Sequence, residues 1–170
     1  VYEIDTTLVV DKALTLAGSG ASVRGADVGA LSVFEVSVSD VTIRDLDITW
    51  THVLEVGYAS PETADSLIRV VGTGLSNVQI LDNALHVPDQ GGAMSGWGAR
   101  AITVDSSACS GGITISGNTV YNTRNGIVVR YGNTATITGN TVYNTKGGVM
   151  NYTSNQADAD NRTVADNSWG

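Results

Sequence analysis

The 170-residue chain has one cysteine, Cys109, two prolines and only two lysines, Lys12 and Lys146. A single thiol cannot close an intrachain disulfide, so packing and hydrogen bonds alone must hold the fold. Nine Lys and Arg against 17 Asp and Glu leave a net charge of −8. That balance excludes a nucleic-acid partner, because a phosphate backbone requires clustered cations. No apolar run approaches the length of a membrane-spanning helix, so membrane insertion is not expected. Helical periodicity is also missing. Twenty glycines against two prolines suit a chain of tight corners. An acidic, lysine-poor, Thr- and Gly-rich surface suits an extracellular or cell-surface location. The chain opens in a strand-like segment, Val1-Tyr-Glu-Ile4, as a processed protein or a segment of a larger extracellular one would.

What the sequence does have is repetition. Ile113-Thr-Ile-Ser-Gly-Asn-Thr-Val-Tyr-Asn-Thr123 returns 22 residues later as Ala135-Thr-Ile-Thr-Gly-Asn-Thr-Val-Tyr-Asn-Thr145, with nine of eleven residues unchanged. A near-verbatim repeat at so short an offset marks one structural unit stacked on its own copy. Degenerate copies follow the same plan at Leu14–Ser19, Val41–Leu46, Val78–Asn83 and Arg162–Asn167. In most of them, apolar and polar residues alternate for about four residues with the period of a half-buried strand. Thr15, Thr42, Gln79, Thr114, Thr136 and Thr163 fall outward, and Leu16, Ile43, Ile80, Ile115, Ile137 and Val164 inward. A second strand begins after the bend, at Asp47-Ile48, Ala84-Leu85, Thr119-Val120 and Thr141-Val142. A third follows in Val33–Val36, Leu67–Val71, Ala101–Val104, Gly126–Arg130 and Gly148–Tyr152.

These features predict an all-β fold, a right-handed parallel β-helix with three short strands per coil. Five to six coils are expected over a single domain, residues 1–170. At about 4.8 Å per coil the rod would be roughly 25–30 Å long. An antiparallel sandwich would need hairpins at regular intervals and gives no reason for the repeated block. The recurring Asn83, Asn118, Asn140 and Asn167 are read as a structural ladder. Each would sit at the bend in left-handed geometry, its amide bonded to the next rung. A solenoid also exposes strand edges at its ends, so end-to-end self-association is expected.

The pattern Gly-Ile-x-Val followed by Ala-Thr-Ile-x-Gly-Asn-x-Val resembles the generic repeat of the pectate-lyase-like superfamily. Leu8-Val-Val-Asp-Lys-Ala-Leu-Thr-Leu-Ala-Gly18 is similar to the opening coils of such proteins. The resemblance covers most of the chain and implies the fold. It leaves function open among lyases, hydrolases, epimerases, adhesins and structural modules. A lyase of this kind would need an Arg or Lys base beside Ca²⁺-bound carboxylates. An epimerase would carry an Asp-Pro-His segment, and this chain has none.

Candidate sites follow from where the repeat is interrupted. The offset between copies is 37 and then 35 residues before it settles to 22. The extra residues fall between second and third strands, at 52–65 and 88–100, and long loops on a rigid scaffold are where binding groups reside. Tyr58 and Trp97 lie in these loops. Thr49, His86, Tyr121 and Tyr143 share one outward column, with Arg124 and Lys146 at the short turns beside it. Aromatic rings next to cations suit a polysaccharide or cell-surface glycan, particularly an acidic one. The plainer alternative is that Tyr121 and Tyr143 stack on each other to cover the sheet. Catalytic candidates, for a lyase acting on acidic polysaccharide, are His86, Arg124 and Arg130. Asp45, Asp47 and Asp82 form the best acidic cluster for a metal, with Ca²⁺ the ion of choice, and solvated acids are the plainer reading. Glu35 with Arg69, and Asp105 with Arg130, should align as surface charge pairs. Asn151-Tyr-Thr and Asn161-Arg-Thr are formal glycosylation sequons. An ice-binding face would need a regular Thr-x-Thr array, and pairs such as Thr42/Arg44 and Gln79/Leu81 break it. The leading expectation is a non-catalytic extracellular or cell-surface module, serving as stalk, adhesin or glycan-binding surface. The alternative is a polysaccharide lyase or related carbohydrate-active enzyme.

Overall fold

The computed structural model describes residues 1–26, 32–50, 66–89, 99–151 and 162–170. Every strand pairing is parallel, and the strands stack as successive turns of a β-helix. One turn comprises β7 (Ser76–Leu81), β8 (Ala84–His86) and β9 (Arg100–Val104). The next comprises β10 (Gly111–Ser116), β11 (Thr119–Tyr121) and β12 (Asn125–Val129). The third comprises β13 (Ala135–Thr138), β14 (Thr141–Tyr143) and β15 (Gly147–Asn151). They are preceded by β1 (Tyr2–Ile4), β2 (Leu8–Val10), β3 (Leu14–Gly25), β4 (Ser32–Val36), β5 (Val41–Trp50) and β6 (Ser66–Val70). After them come β16 (Arg162–Ala165) and β17 (Ser168–Trp169).

The repeat 113–123 lies on 135–145 residue for residue, with Ile115 opposite Ile137 and Tyr121 opposite Tyr143. From β7 to β15 each turn has three separate strands. In β3 and β5 the first and second strands are continuous, running 12 and 10 residues through the bend. There the recurring Asn is replaced, by Ser19-Gly20 and by Leu46 after Asp45. Because β5 pairs with both β7 and β8, the first- and second-strand faces join into one 11-stranded sheet. The third strands form a separate 6-stranded sheet, β15-β12-β9-β6-β4-β2.

The core is a set of inward columns. Ile43, Ile80, Ile115 and Ile137 form one, Ile48, Leu85, Val120 and Val142 another, and Phe34, Ile68, Ile102 and Ile127 a third, all buried. Burying each such side chain contributes about 1.5–3 kcal/mol. Val164 continues the first column opposite Ile137 yet remains 43% exposed, since no described side chain packs beyond it.

The bend between first and second strands is held by asparagine. Nδ2 of Asn83, Asn118 and Asn140 donates to Oδ1 of the next rung, at 3.0, 3.0 and 2.8 Å, the last acceptor being Asn167. Each acceptor oxygen also takes the preceding rung's backbone N–H. The Nδ2 atoms of Asn83, Asn118, Asn140 and Asn167 further donate to first-strand carbonyls, those of Ile43, Ile80, Ile115 and Ile137 respectively. Leu46 N–H donates to Asn83 Oδ1 at 3.1 Å, so the contact extends to the coil lacking its own asparagine.

One detail differs from expectation. The left-handed residue is not the asparagine but the one before it: Asp82 (φ 54), Gly117 (φ 69), Gly139 (φ 65) and Asp166 (φ 55). Turning one residue early frees the asparagine backbone to start the second strand and aims its amide inward. Left-handed asparagines do occur at the following bend, where Asn144 Nδ2 donates to Asn122 Oδ1 at 2.7 Å.

Candidate functional site

The second strands set the geometry of the outer face. Backbone register places Arg24, Thr49, His86, Tyr121 and Tyr143 in one column, one residue per turn. The column two residues earlier is Ser22, Asp47, Ala84, Thr119 and Thr141. Side chains at i and i+2 share a face in an extended strand, so both columns point outward together.

His86 and Tyr121 stack with ring centroids 4.6 Å apart and planes 5° from parallel. Tyr121 and Tyr143 continue the stack at 5.2 Å and 6°. These spacings are close to the ordinary separation of paired strands, so the register itself brings the rings face to face. Face-to-face stacking leaves the edges of His86 and Tyr121 toward solvent. Beyond Tyr143 the next residue of the column is Gly170, which has no side chain to cover the ring, and Tyr143 is 38% exposed. Burial first, then the neighbouring Tyr143 and the Asp47 carboxylate, raise the Tyr121 phenol above its ordinary pKa. Its hydroxyl therefore stays protonated and can donate as well as accept.

A contact absent from the sequence reading fixes the start of this stack. His86 Nε2 lies 2.9 Å from Asp47 Oδ1, and Ser22 Oγ donates to Asp47 Oδ2 at 2.8 Å. His86 Nδ1 lies 3.5 Å from Thr49 Oγ1. Asp47 and Thr49 are two apart on one strand with His86 in the next turn, a diagonal arrangement the sequence contained. Both ring nitrogens thus have protein partners, which orients the imidazole for stacking.

Arg124 and Lys146 are matched one turn apart, since Asn125 is opposite Gly147. Each lies three residues beyond its tyrosine, with the Asn122–Asn144 hydrogen bond between ring and cation. Ring, amide and cation therefore recur on adjacent turns. Arg130 is elsewhere: it follows β12 while Arg124 precedes it, about 20 Å of extended chain away. Arg69 pairs with Asp105 at 2.6 Å, one turn on from Glu35, to which Arg69 is opposite in register.

Asp45, Asp47 and Asp82 border one shallow groove together with Ser19, Gly20 and Ala84. Their carboxylates serve different partners: Asp45 Oδ2 takes Arg44 Nη1 at 3.1 Å, and Asp47 takes Ser22 and His86. Among the described residues, no three His, Cys, Asp or Glu side chains group so as to hold a metal ion. Tyr58, Trp97 and Asn161 lie outside the described residues, as does the side chain of Asn151. No helix among the described residues is long and apolar enough to cross a membrane.

Residues 55–170 match a family model described as NosD, periplasmic copper-binding protein. No curated protein and no solved structure matches the chain.

Proposed function

The chain belongs to the NosD family, whose members are right-handed parallel β-helices of the pectate-lyase-like superfamily, and from that premise we propose a non-catalytic module outside the cytoplasm that binds an acidic glycan. The observation that carries the proposal is the aromatic column ending in the exposed ring of Tyr143, with Arg124 and Lys146 three residues further along the chain on the same two turns. A sugar ring stacks on the open face of Tyr143, hydroxyls along the chain bond the edges of Tyr121 and the Asn122–Asn144 amides, and carboxylates pair with the two cations. The glycan runs parallel to the axis of the β-helix, and the rigid coil holds these groups in place before it arrives. Such preorganisation lowers the ordering cost of binding.

The lyase alternative keeps Arg124 as its candidate base, on the same turns as the ring column. Asp47 and Thr49 engage both nitrogens of His86, and Arg130 is remote from the ring column.

The family description names copper, and the described residues do not fit a copper centre. His86 is held by Asp47 and Thr49, Cys109 is fully buried, and Met150 Sδ accepts from Asn125 Nδ2. No step here runs through copper.

Affinity electrophoresis through gels carrying polygalacturonate tests binding, and ultraviolet absorbance of unsaturated products tests cleavage. Retardation without product supports the proposal. Product formation would replace it with the lyase, and migration unchanged across acidic polysaccharides would remove it.

A further inference from the structure

The corner where β4 and β5 meet contains two polar side-chain atoms that folding has taken from water. Trp50 is 2% exposed and Ser32 is 1% exposed. Trp50 Nε1 and Ser32 Oγ have no hydrogen-bond partner among the described residues. A buried donor or acceptor left unpaired is costly, and native folds rarely tolerate one.

Both residues line the same small cavity, along with Thr6 and Gly25. Its volume is about 10 Å³, close to the least room that admits a single water. The indole is turned so that Cδ1, the atom next to Nε1, lies 3.8 Å from where a Gly25 Cβ would stand. A Cβ at position 25 would press on Val33 Cγ2 at 3.0 Å and lie in ordinary contact with this edge of the ring. Ser66, opposite Ser32 in the next turn, needs no such arrangement, because its hydroxyl lies 2.7 Å from Thr103 Oγ1.

We infer that this cavity is a binding site for one ordered water molecule, which accepts from Trp50 Nε1–H and hydrogen-bonds Ser32 Oγ. Thr6, on the cavity wall, supplies a third polar partner through its hydroxyl oxygen. A buried water typically makes about three hydrogen bonds, so this set is sufficient. The water joins the end of β5 to the start of β4 and so ties the two sheets together at the corner that leads into residue 51.

The test is water-to-indole cross-relaxation by nuclear magnetic resonance on the full chain. The three tryptophans give three indole N–H signals, and Trp50→Phe identifies the one concerned. If that variant does not fold, Trp97→Phe and Trp169→Phe identify it by elimination. The result expected is a Trp50 indole cross-peak to water with the sign of a long-lived complex, weakened in Ser32→Ala. An indole proton with no cross-peak to water, or one donating to a protein acceptor, would overturn the assignment. So would a cross-peak unchanged in Ser32→Ala.

Discussion

Asn118 Nδ2 lies 3.0 Å from Asn140 Oδ1, and the same oxygen takes the backbone N–H of Asn118 at 3.0 Å. One side-chain oxygen thus satisfies two donors from the turn before it. Asn118 in turn accepts from Asn83 and donates to the carbonyls of Ile80 and Ser116. Replacing it by alanine strands several buried groups at once, each costing about 1–3 kcal/mol. Asn118→Ala should therefore lose about 3 kcal/mol or more, whereas Asn167→Ala, on the half-buried last rung, should lose about 1 kcal/mol. Urea denaturation of the two variants measures the difference. Equal losses would contradict a ladder whose inner rungs are buried.

The left-handed residue before each rung gives a second, sharper comparison. A Cβ on Gly117 would stand 2.0 Å from Asp82 Oδ1, while one on Gly139 meets nothing closer than 4.0 Å. Gly139→Ala should cost only the left-handed strain, about 1–2 kcal/mol. Gly139→Asn should be close to neutral, because asparagine tolerates that geometry. Gly117→Ala should cost somewhat more than Gly139→Ala, because the exposed Asp82 carboxylate must turn aside for the new Cβ. Thermal unfolding of the three variants checks the order.

Cys109 is fully buried, and burial pushes its thiol from the ordinary 9.0 up to about 12. Below pH 9 the thiol is neutral in the folded and unfolded states alike, so it contributes no pH dependence there. Between pH 9 and about 12 the unfolded thiol ionises and the folded one does not. Stability then falls with rising pH, by up to about 1.4 kcal/mol per pH unit from this group. The difference between wild type and Cys109→Ala isolates the slope. Ellman's reagent at pH 8 should leave the native thiol unmodified and react fully in denaturant. Rapid reaction of the native protein would contradict its burial.

The ring stack is structural as well as a surface. Removing Tyr121 ends two stacked contacts and removing Tyr143 ends one, each worth about 0.5–1.5 kcal/mol. Tyr121→Ala should accordingly destabilise about twice as much as Tyr143→Ala, with a larger loss of near-ultraviolet circular dichroism. Equal effects would mean that the rings do not act as a continuous column.

Much of this was legible because a solenoid converts sequence spacing directly into register. Tyr121 and Tyr143 are 22 residues apart and adjacent in space for that reason alone. The alternation of Thr114 and Ile115 likewise reads straight through to outside and inside. The misjudged left-handed residue at the bend has a local cause. Asp82, Gly117, Gly139 and Asp166 vary in type, so the invariant asparagine drew the eye to the wrong position. The Asp47–His86 contact was missed because it runs diagonally between columns, and column-by-column reading compares only residues directly opposite. Asn133 was missed too: its Nδ2 donates to the carbonyls of Asp105, Arg130 and Tyr131 at a third corner. Among the described residues only one copy of that corner carries an asparagine in this way, so repetition gave no signal.

Isothermal titration of the wild type and of Tyr143→Ala with an acidic oligosaccharide, in low and high salt, tests the proposed glycan site most directly. The account predicts saturable wild-type binding that weakens with salt, since Arg124 and Lys146 pair with its carboxylates. It predicts a further loss of about tenfold in Tyr143→Ala, which stays folded despite its lost stacking contact, matching the roughly 1–1.5 kcal/mol of a lost ring contact with the sugar. Wild-type affinity retained in Tyr143→Ala, or no binding by the wild type at all, would contradict it.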